Sequence, residues 1–266
     1  MRKLDCLLIV ALIAGAFASR CPAATVRVPE DQKTIADAIA AAGSGDTVSV
    51  APGEYVITKP VSFLGKPITL ESRGGAADTT IRMAESPLDP HRTSVVVFES
   101  GETKDSVLRG FTISGGGGTG EYSSGYGVEC GRFEDRPWAS GPTLEGCEIR
   151  DNMSGMACTM ASPRLIGCTI AGNRQAALTF SGGTSVELTD CTITGNPWGK
   201  LELTKCTATL SGCVVSSNGA GISGSGSKLT LKDCTIAGNS SATSWPEPSA
   251  TLEPISVGAP SPGNPR

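Results

Sequence analysis

The sequence predicts an all-β solenoid, and three observations predict it. The first is a nine-residue phrase that occurs five times. It reads Leu144-Glu-Gly-Cys-Glu-Ile-Arg-Asp-Asn152, then recurs from Leu165 to Asn173, Leu188 to Asn196, Leu210 to Asn218 and Leu231 to Asn239. The closing asparagines are 21, 23, 22 and 21 residues apart (173−152, 196−173, 218−196, 239−218). A near-constant spacing of this size is the mark of stacked coils that bury one continuous core. The second is a period-two apolar pattern from residue 46 onward, broken by Gly, Pro, Asn and charged residues, as short strands between turns require. The third is composition: 34 glycines and only 5% aromatic residues in 266 suit a chain of many tight turns, with few helix-forming stretches.

Taken in chain order, residues 1–24 read as a signal peptide. Arg2 and Lys3 precede an apolar run from Cys6 to Phe17, too short to span a bilayer, and Ala16-Phe17-Ala18 offers a small-residue cleavage site. The expectation is an exported protein (secreted, periplasmic or on the cell surface) with no membrane span after signal removal. Thr25-Val-Arg-Val-Pro29 is a short strand ended by proline. Thr34 to Ala42 reads as a helix, with Thr34 as N-cap, Ile35 and Ile39 on one face, and Gly43 as the stop. A lone helix with one apolar stripe suits a lid on the first coil, whose sheet edge would otherwise lie open.

Strand candidates follow at 47–51, 56–57, 61–63, 67–70, 80–82, 94–98 and 107–113. Gly110-Phe-Thr-Ile113 matches the later Gly-Cys-Thr-Ile, so the repeat begins before residue 144 in a less regular form. An excursion runs from Gly115 to Gly141. Within it Gly127-Val-Glu-Cys130 resembles Gly155-Met-Ala-Cys158, which places one strand inside the loop. The solenoid domain is therefore assigned to 25–240. Residues 241–266, rich in Pro, Ser, Ala and Thr, are expected to be a disordered tail. The coils then end without an evident cap, so a partner or self-association at that end is an expectation too, as is a chain cut from a longer adhesin.

Each position of the phrase has a structural role. Leu, Cys and Ile form in-facing columns, with a bend at Gly146, Gly167, Asp190, Gly212 and Asp233. Cys147, Cys168, Cys191, Cys213 and Cys234 occupy one place per coil. Five identical positions cannot all pair with one another, and zinc wants ligands that converge, so free core thiols are favoured. Thr169, Thr192 and Thr235 face outward. Met156, Cys158, Leu178, Phe180, Leu201, Leu203 and Ile222 supply another wall. Asn152, Asn173, Asn196, Asn218 and Asn239 end a strand in every coil; asparagine tolerates left-handed backbone, and stacked amides can bond along the axis.

These residues resemble the right-handed parallel β-helix proteins of the pectin-lyase-like superfamily, in their exported bacterial form. The likeness runs from Thr25 to Asn239. Val26 to Pro29, Thr34 to Ile39, Gly45 to Tyr55 and Gly65 to Leu70 look like that group's capping helix and first coils. Ser94 to Glu102 with Gly110 to Ile113 looks like the coils that follow. The resemblance implies an all-β, single-stranded right-handed parallel β-helix with an N-terminal capping helix. It does not imply a reaction, because the superfamily holds lyases, hydrolases, epimerases, adhesins and proteins of no known activity.

The resemblance further implies that lyases and hydrolases on this scaffold carry a charged cluster on an outer strand face. The regular coils lack one. The columns before Leu, before Cys and after Cys hold no two adjacent acids; Asp190 and Asp233 skip a coil, and Arg164 with Glu187 reads as a surface ion pair. A net charge of −4 without a basic stripe argues against nucleic acid. No triad, phosphate loop or metal-binding histidine cluster is present, and no cofactor is expected. The place where the period breaks gathers aromatics and charges: Tyr122, Tyr126, Phe133, Glu134, Asp135, Arg136 and Trp138 are the candidate ligand-binding residues, suited to stacking on sugar rings of a polysaccharide or cell-surface glycan. The leading expectation is a non-catalytic exported surface or matrix protein that binds glycan through this insertion. The competing one is a polysaccharide lyase or glycoside hydrolase with its site among Asp89, His91, Arg92, Glu129, Glu134, Asp135 and Arg136.

Overall fold

The computed structural model describes residues 23–117, 125–131, 140–241, 250–253 and 256–257. Residues 1–22 of the expected leader lie outside them. Three parallel sheets run the length of the molecule. Sheet A has ten strands, from Thr25–Val28 to Ala250–Glu253. Sheet B has nine, from Gly53–Ile57 to Ser256–Val257, and sheet C seven, from Val61–Ser62 to Ile222–Ser225. Every described strand pairing is parallel and joins one coil to the next, so the chain is a parallel β-helix.

The core is made of the columns that the phrase encodes. In sheet A, Val48, Leu70, Leu108, Leu144, Leu165, Leu188, Leu210 and Leu231 pair in register and are buried. In sheet B the same holds for Ile81, Ile113, Ile149, Ile170, Ile193, Val215 and Ile236. Met156, Leu178, Leu201 and Ile222 line sheet C. The five column cysteines are buried free thiols between sheets A and B. Their thiols donate to backbone carbonyls, as Cys168 does to Leu144 O at 3.5 Å. The Cys191 thiol is pushed up to about 12, first by its hydrogen bond with Cys168 and, among further causes, by burial. The Cys191 thiol therefore packs as a small protonated hydrophobe.

Corners are turned by left-handed residues. Gly146, Gly167, Asp190, Gly212 and Asp233 have φ of 55°, 58°, 53°, 63° and 52°. A side chain with a Cβ is disfavoured there, and Asp is among the few that tolerate it. This explains why the bend position alternates between those two residue types. Gly110 does the same at φ 71°, so the expected strand over 107–113 is broken into Val107–Arg109 on sheet A and Thr112–Ser114 on sheet B.

Just beyond the second corner, Asn152, Asn173, Asn196, Asn218 and Asn239 are buried and bonded in series. Asn196 Oδ1 accepts the backbone N–H of Asn173 at 2.9 Å and its amide at 3.0 Å; Asn218 Oδ1 accepts the same pair from Asn196 at 3.1 and 2.9 Å. Each amide also donates to a strand carbonyl one coil back, such as Asn196 to Ile170 O at 3.0 Å. At the N-terminal end of the series, Asn152 Oδ1 accepts from Gly116 N at 2.8 Å.

The helix is Ile35–Ala41, with Thr34 Oγ1 accepting from Asp37 N at 3.1 Å. Ile35, Ala38 and Ile39 are buried against the first strands of sheets A and C. Its stop differs from the expected glycine. Lys66, from the next coil, donates from Nζ to the carbonyls of Ile39, Ala40 and Ala42, each at 2.8 Å. A cation satisfies the orphan carbonyls and complements the helix dipole. Lys66→Met is expected to cost about 1–2 kcal/mol. A lower urea midpoint with faster amide exchange confined to the helix would bear this out; an unchanged midpoint would refute it.

The C-terminal segment departs from expectation. Ala250–Glu253 and Ser256–Val257, assigned above to a disordered tail, pair with Lys228–Lys232 and Thr235–Ala237. The exposed edge of the last regular coil templates backbone pairing, and Ala-Thr-Leu-Glu has enough strand character to use it. Residues 242–249, 254–255 and 258–266 of that expected tail lie outside the described residues.

Candidate functional site

The insertion divides in two around one strand. Tyr126–Cys130 takes its place in sheet C between Val96–Phe98 and Ser154–Thr159, in the register expected from the likeness of 127–130 to 155–158. One excursion, 118–124, enters that strand from sheet B, and the other, 132–139, leaves it for sheet A. Of the seven candidate residues only Tyr126 is described. Tyr122 falls in the first excursion; Phe133, Glu134, Asp135, Arg136 and Trp138 fall in the second, and all six lie outside the described residues.

Val128 and Cys130 point into the core, so Glu129 points out. Its carboxylate accepts from Ser94 Oγ at 2.7 Å, and the same Ser94 oxygen accepts the backbone N–H of Tyr126 at 3.3 Å. Ser94 is buried and therefore fixes both neighbours. Burial pushes the Tyr126 phenol up, and the Glu129 charge pushes it the same way. Arg92 is hydrogen-bonded to Glu99, and both lie on the coil paired with this strand. Glu129 and, two residues beyond its partner Val97, Glu99 thus share the outer side of sheet C, with Arg92 bonded to Glu99 and Tyr126 half-buried at the start of the same strand. Two carboxylates and a guanidinium lie there, with a tyrosine at the strand's end.

Asp89 and His91 precede the patch in an exposed turn, where Asp89 Oδ1 accepts from His91 N at 2.9 Å. Asp190 and Asp233 are corner residues, and Arg164 meets Glu187 at 2.7 Å on an exposed face. Sequence reading missed a second charged row on sheet A. Glu71, Arg109 and Glu145 share a register position, with Arg109 bonded to Glu71 at 3.2 Å and Glu145 at 2.7 Å. The two carboxylates raise the Arg109 pKa, Glu145 most, and a pair so satisfied and exposed reads as surface stabilisation. Missed as well was Glu102, a fully buried carboxylate. It accepts from Gly65 N at 3.0 Å, Ser100 N at 2.8 Å and Ser140 Oγ at 3.2 Å. Among the described residues no buried side-chain nitrogen or oxygen lacks a partner, and no His/Cys/Asp/Glu cluster is arranged for a metal. No described helix is long and apolar enough to cross a membrane.

Residues 93–251 match the family model for the right handed beta helix region, and the chain belongs to that family. No curated protein matches the sequence. Among solved structures the chain is similar to pectin methylesterase from carrot, with 14% identity, TM-score 0.57, and coverage of 90% of this chain and 84% of that one. It is also similar to pectate lyase Pel9A (12%, 0.55, 87% and 78%) and to a pectin methylesterase in complex with a hexasaccharide (11%, 0.52, 83% and 80%). At such identities the likeness is one of fold: a right-handed parallel β-helix of the pectin-lyase-like type.

Proposed function

We propose that the chain is an exported, non-catalytic polysaccharide-binding β-helix, and that its binding face is the outer side of sheet C around Tyr126 and Glu129. One observation carries this reading. The Ser94-held Glu129 and the Arg92–Glu99 pair share one face, and Tyr126 stands half-buried at the start of the strand from whose two ends the insertions leave. A ring face suits stacking on a sugar, and flanking carboxylates and guanidinium suit its hydroxyls. Compatible with this, a structure of the same fold is a pectin methylesterase in complex with a hexasaccharide. Export rests on the leader-like residues 1–24.

The test is affinity electrophoresis of the purified protein through gels that hold neutral and acidic polysaccharides. Retardation by at least one is expected, weakened about tenfold by Tyr126→Ala with Glu129→Ala, since stacking plus a charge-assisted hydrogen bond is worth about that much. Retardation by none would end the binding reading. A second reading has an observation of its own: Glu129 lies opposite Val97 in register, so Glu99 is its diagonal neighbour, about 8 Å away by strand geometry. Two carboxylates so placed could serve glycoside hydrolysis. Release of reducing or unsaturated ends, abolished by Glu129→Gln, would replace the non-catalytic reading with this one.

A further inference from the structure

A cleft of about 490 Å³ lies far from the sheet C patch, at the corner where the last regular coils pass from sheet C to sheet A. Its rim carries two lysines from adjacent coils, Lys205 and Lys228, and its lining contains no carboxylate. Both lysines are exposed, and neither makes an ion pair among the described residues. In a chain with more acids than bases, two lysines from adjacent coils lining one concave surface are not explained by packing.

The geometry of the corner sets both beside one cleft. Gly182, Lys205 and Gly226 succeed one another at this corner with φ of 73°, 51° and 59°. The left-handed region is natural for the glycines and costly for a long side chain, so the lysine is held there against local preference. Lys205 lies against the next coil: its Cγ is 3.5 Å from where a Cβ on Gly226 would stand. Thr207, paired with Lys228, is exposed beside them. Beneath, the buried Ser227 hydroxyl accepts the Cys206 backbone N–H at 3.0 Å and donates to Ser225 O at 3.2 Å, which keeps the floor rigid.

We propose that this cleft binds a small oxyanion of the phosphate type, either free or as a monoester, between the two lysines and the Thr207 hydroxyl. Two ammonium groups complement the two charges such a group carries near neutral pH, and an adjacent hydroxyl donor suits its oxygens. A monocarboxylate would satisfy only one of the cations. The site is independent of the sheet C patch and goes beyond the function proposed above.

The experiment is a titration of the ¹⁵N-labelled full chain at low ionic strength with inorganic phosphate, a hexose phosphate, acetate and a neutral hexose. Saturable shifts are expected at the amides of Gly183, Thr207 and Gly226 with both phosphates, weaker by at least tenfold with acetate and absent with the neutral hexose. Lys205→Gln with Lys228→Gln should weaken phosphate at least tenfold without moving the amides of the buried columns, while Tyr126→Ala with Glu129→Ala leaves it unchanged. Tighter binding of the hexose phosphate would assign the site to an ester, and equal binding to the free anion; both support the proposal. Absence of saturable shifts at those amides, or shifts that survive the double substitution, would overturn it.

Discussion

Asn196→Ala is expected to destabilise the protein by about 3–5 kcal/mol, the sum of one or two buried groups stranded at about 1–3 kcal/mol each plus the bonds lost. Asn196 is fully buried at the middle of its column. Its Oδ1 accepts two hydrogen bonds from Asn173, and its amide donates to Ile170 O, Thr194 O and Asn218 Oδ1 at 3.0, 3.0 and 2.9 Å. Alanine leaves the Asn173 backbone N–H without an acceptor in a site closed to water. Asp at 196 should be nearly as harmful, because it keeps the acceptor but loses the donors and buries a charge among carbonyls. Asn239→Ala should cost less: its Oδ1 accepts the same pair from Asn218 at 3.0 and 3.1 Å, but its amide donates to Val215 O at 3.0 Å and, among the described residues, to no further asparagine. Urea titrations of the three variants read this gradient. Equal effects at 196 and 239 would mean that the bonds act one by one and that their series adds nothing.

The columns were legible because their chemistry repeats at a fixed spacing. Leu, Cys and Ile recur where a coil must face inward, and Gly or Asp recurs where the backbone must turn left-handed; sequence and register then agree residue for residue from Leu144 to Ile236. Legibility failed where the spacing fails. Leu70, Leu108 and Leu144 are neighbours in one column, yet 38 and 36 residues separate them (108−70, 144−108), against 21 between Leu144 and Leu165 (165−144). Without a constant period, Glu71, Arg109 and Glu145 could not be set side by side. Lys66 meets the helix end, and Glu129 meets Ser94, only through coil stacking that local pattern does not encode. The candidate site was therefore half legible. Tyr126 and Glu129 were named for standing in a broken stretch, while Ser94 and Glu99, which complete their surroundings, were hidden inside an apolar strand.

Glu102→Ala is the second large effect expected, and it bears on the loops that frame the candidate face. A buried carboxylate survives only if its oxygens are satisfied. Here Oε1 takes the N–H of Gly65, and Oε2 takes the N–H of Ser100 and the hydroxyl of Ser140. Three chain segments meet on this one side chain: the turn after Val61–Ser62, the loop after Val96–Phe98, and Ser140, the first described residue after the excursion 132–139. Gly141 N also donates to Glu102 O at 2.7 Å, a backbone bond that substitution leaves in place. Removing the carboxylate strands two N–H groups and a hydroxyl, for about 2–4 kcal/mol. Glu102→Gln keeps an acceptor and should lose about half as much. The loss should be local: amide exchange at Gly65 and Ser100 rises, and proteolysis near Ser140 speeds up, while the asparagine column stays protected. Polysaccharide retention should fall with it, because Ser140 then no longer fixes where 132–139 rejoins the coil. If retention persists while Ser140 becomes protease-sensitive, the second excursion takes no part in binding, and the face is reduced to Tyr126, Glu129 and the Arg92–Glu99 pair.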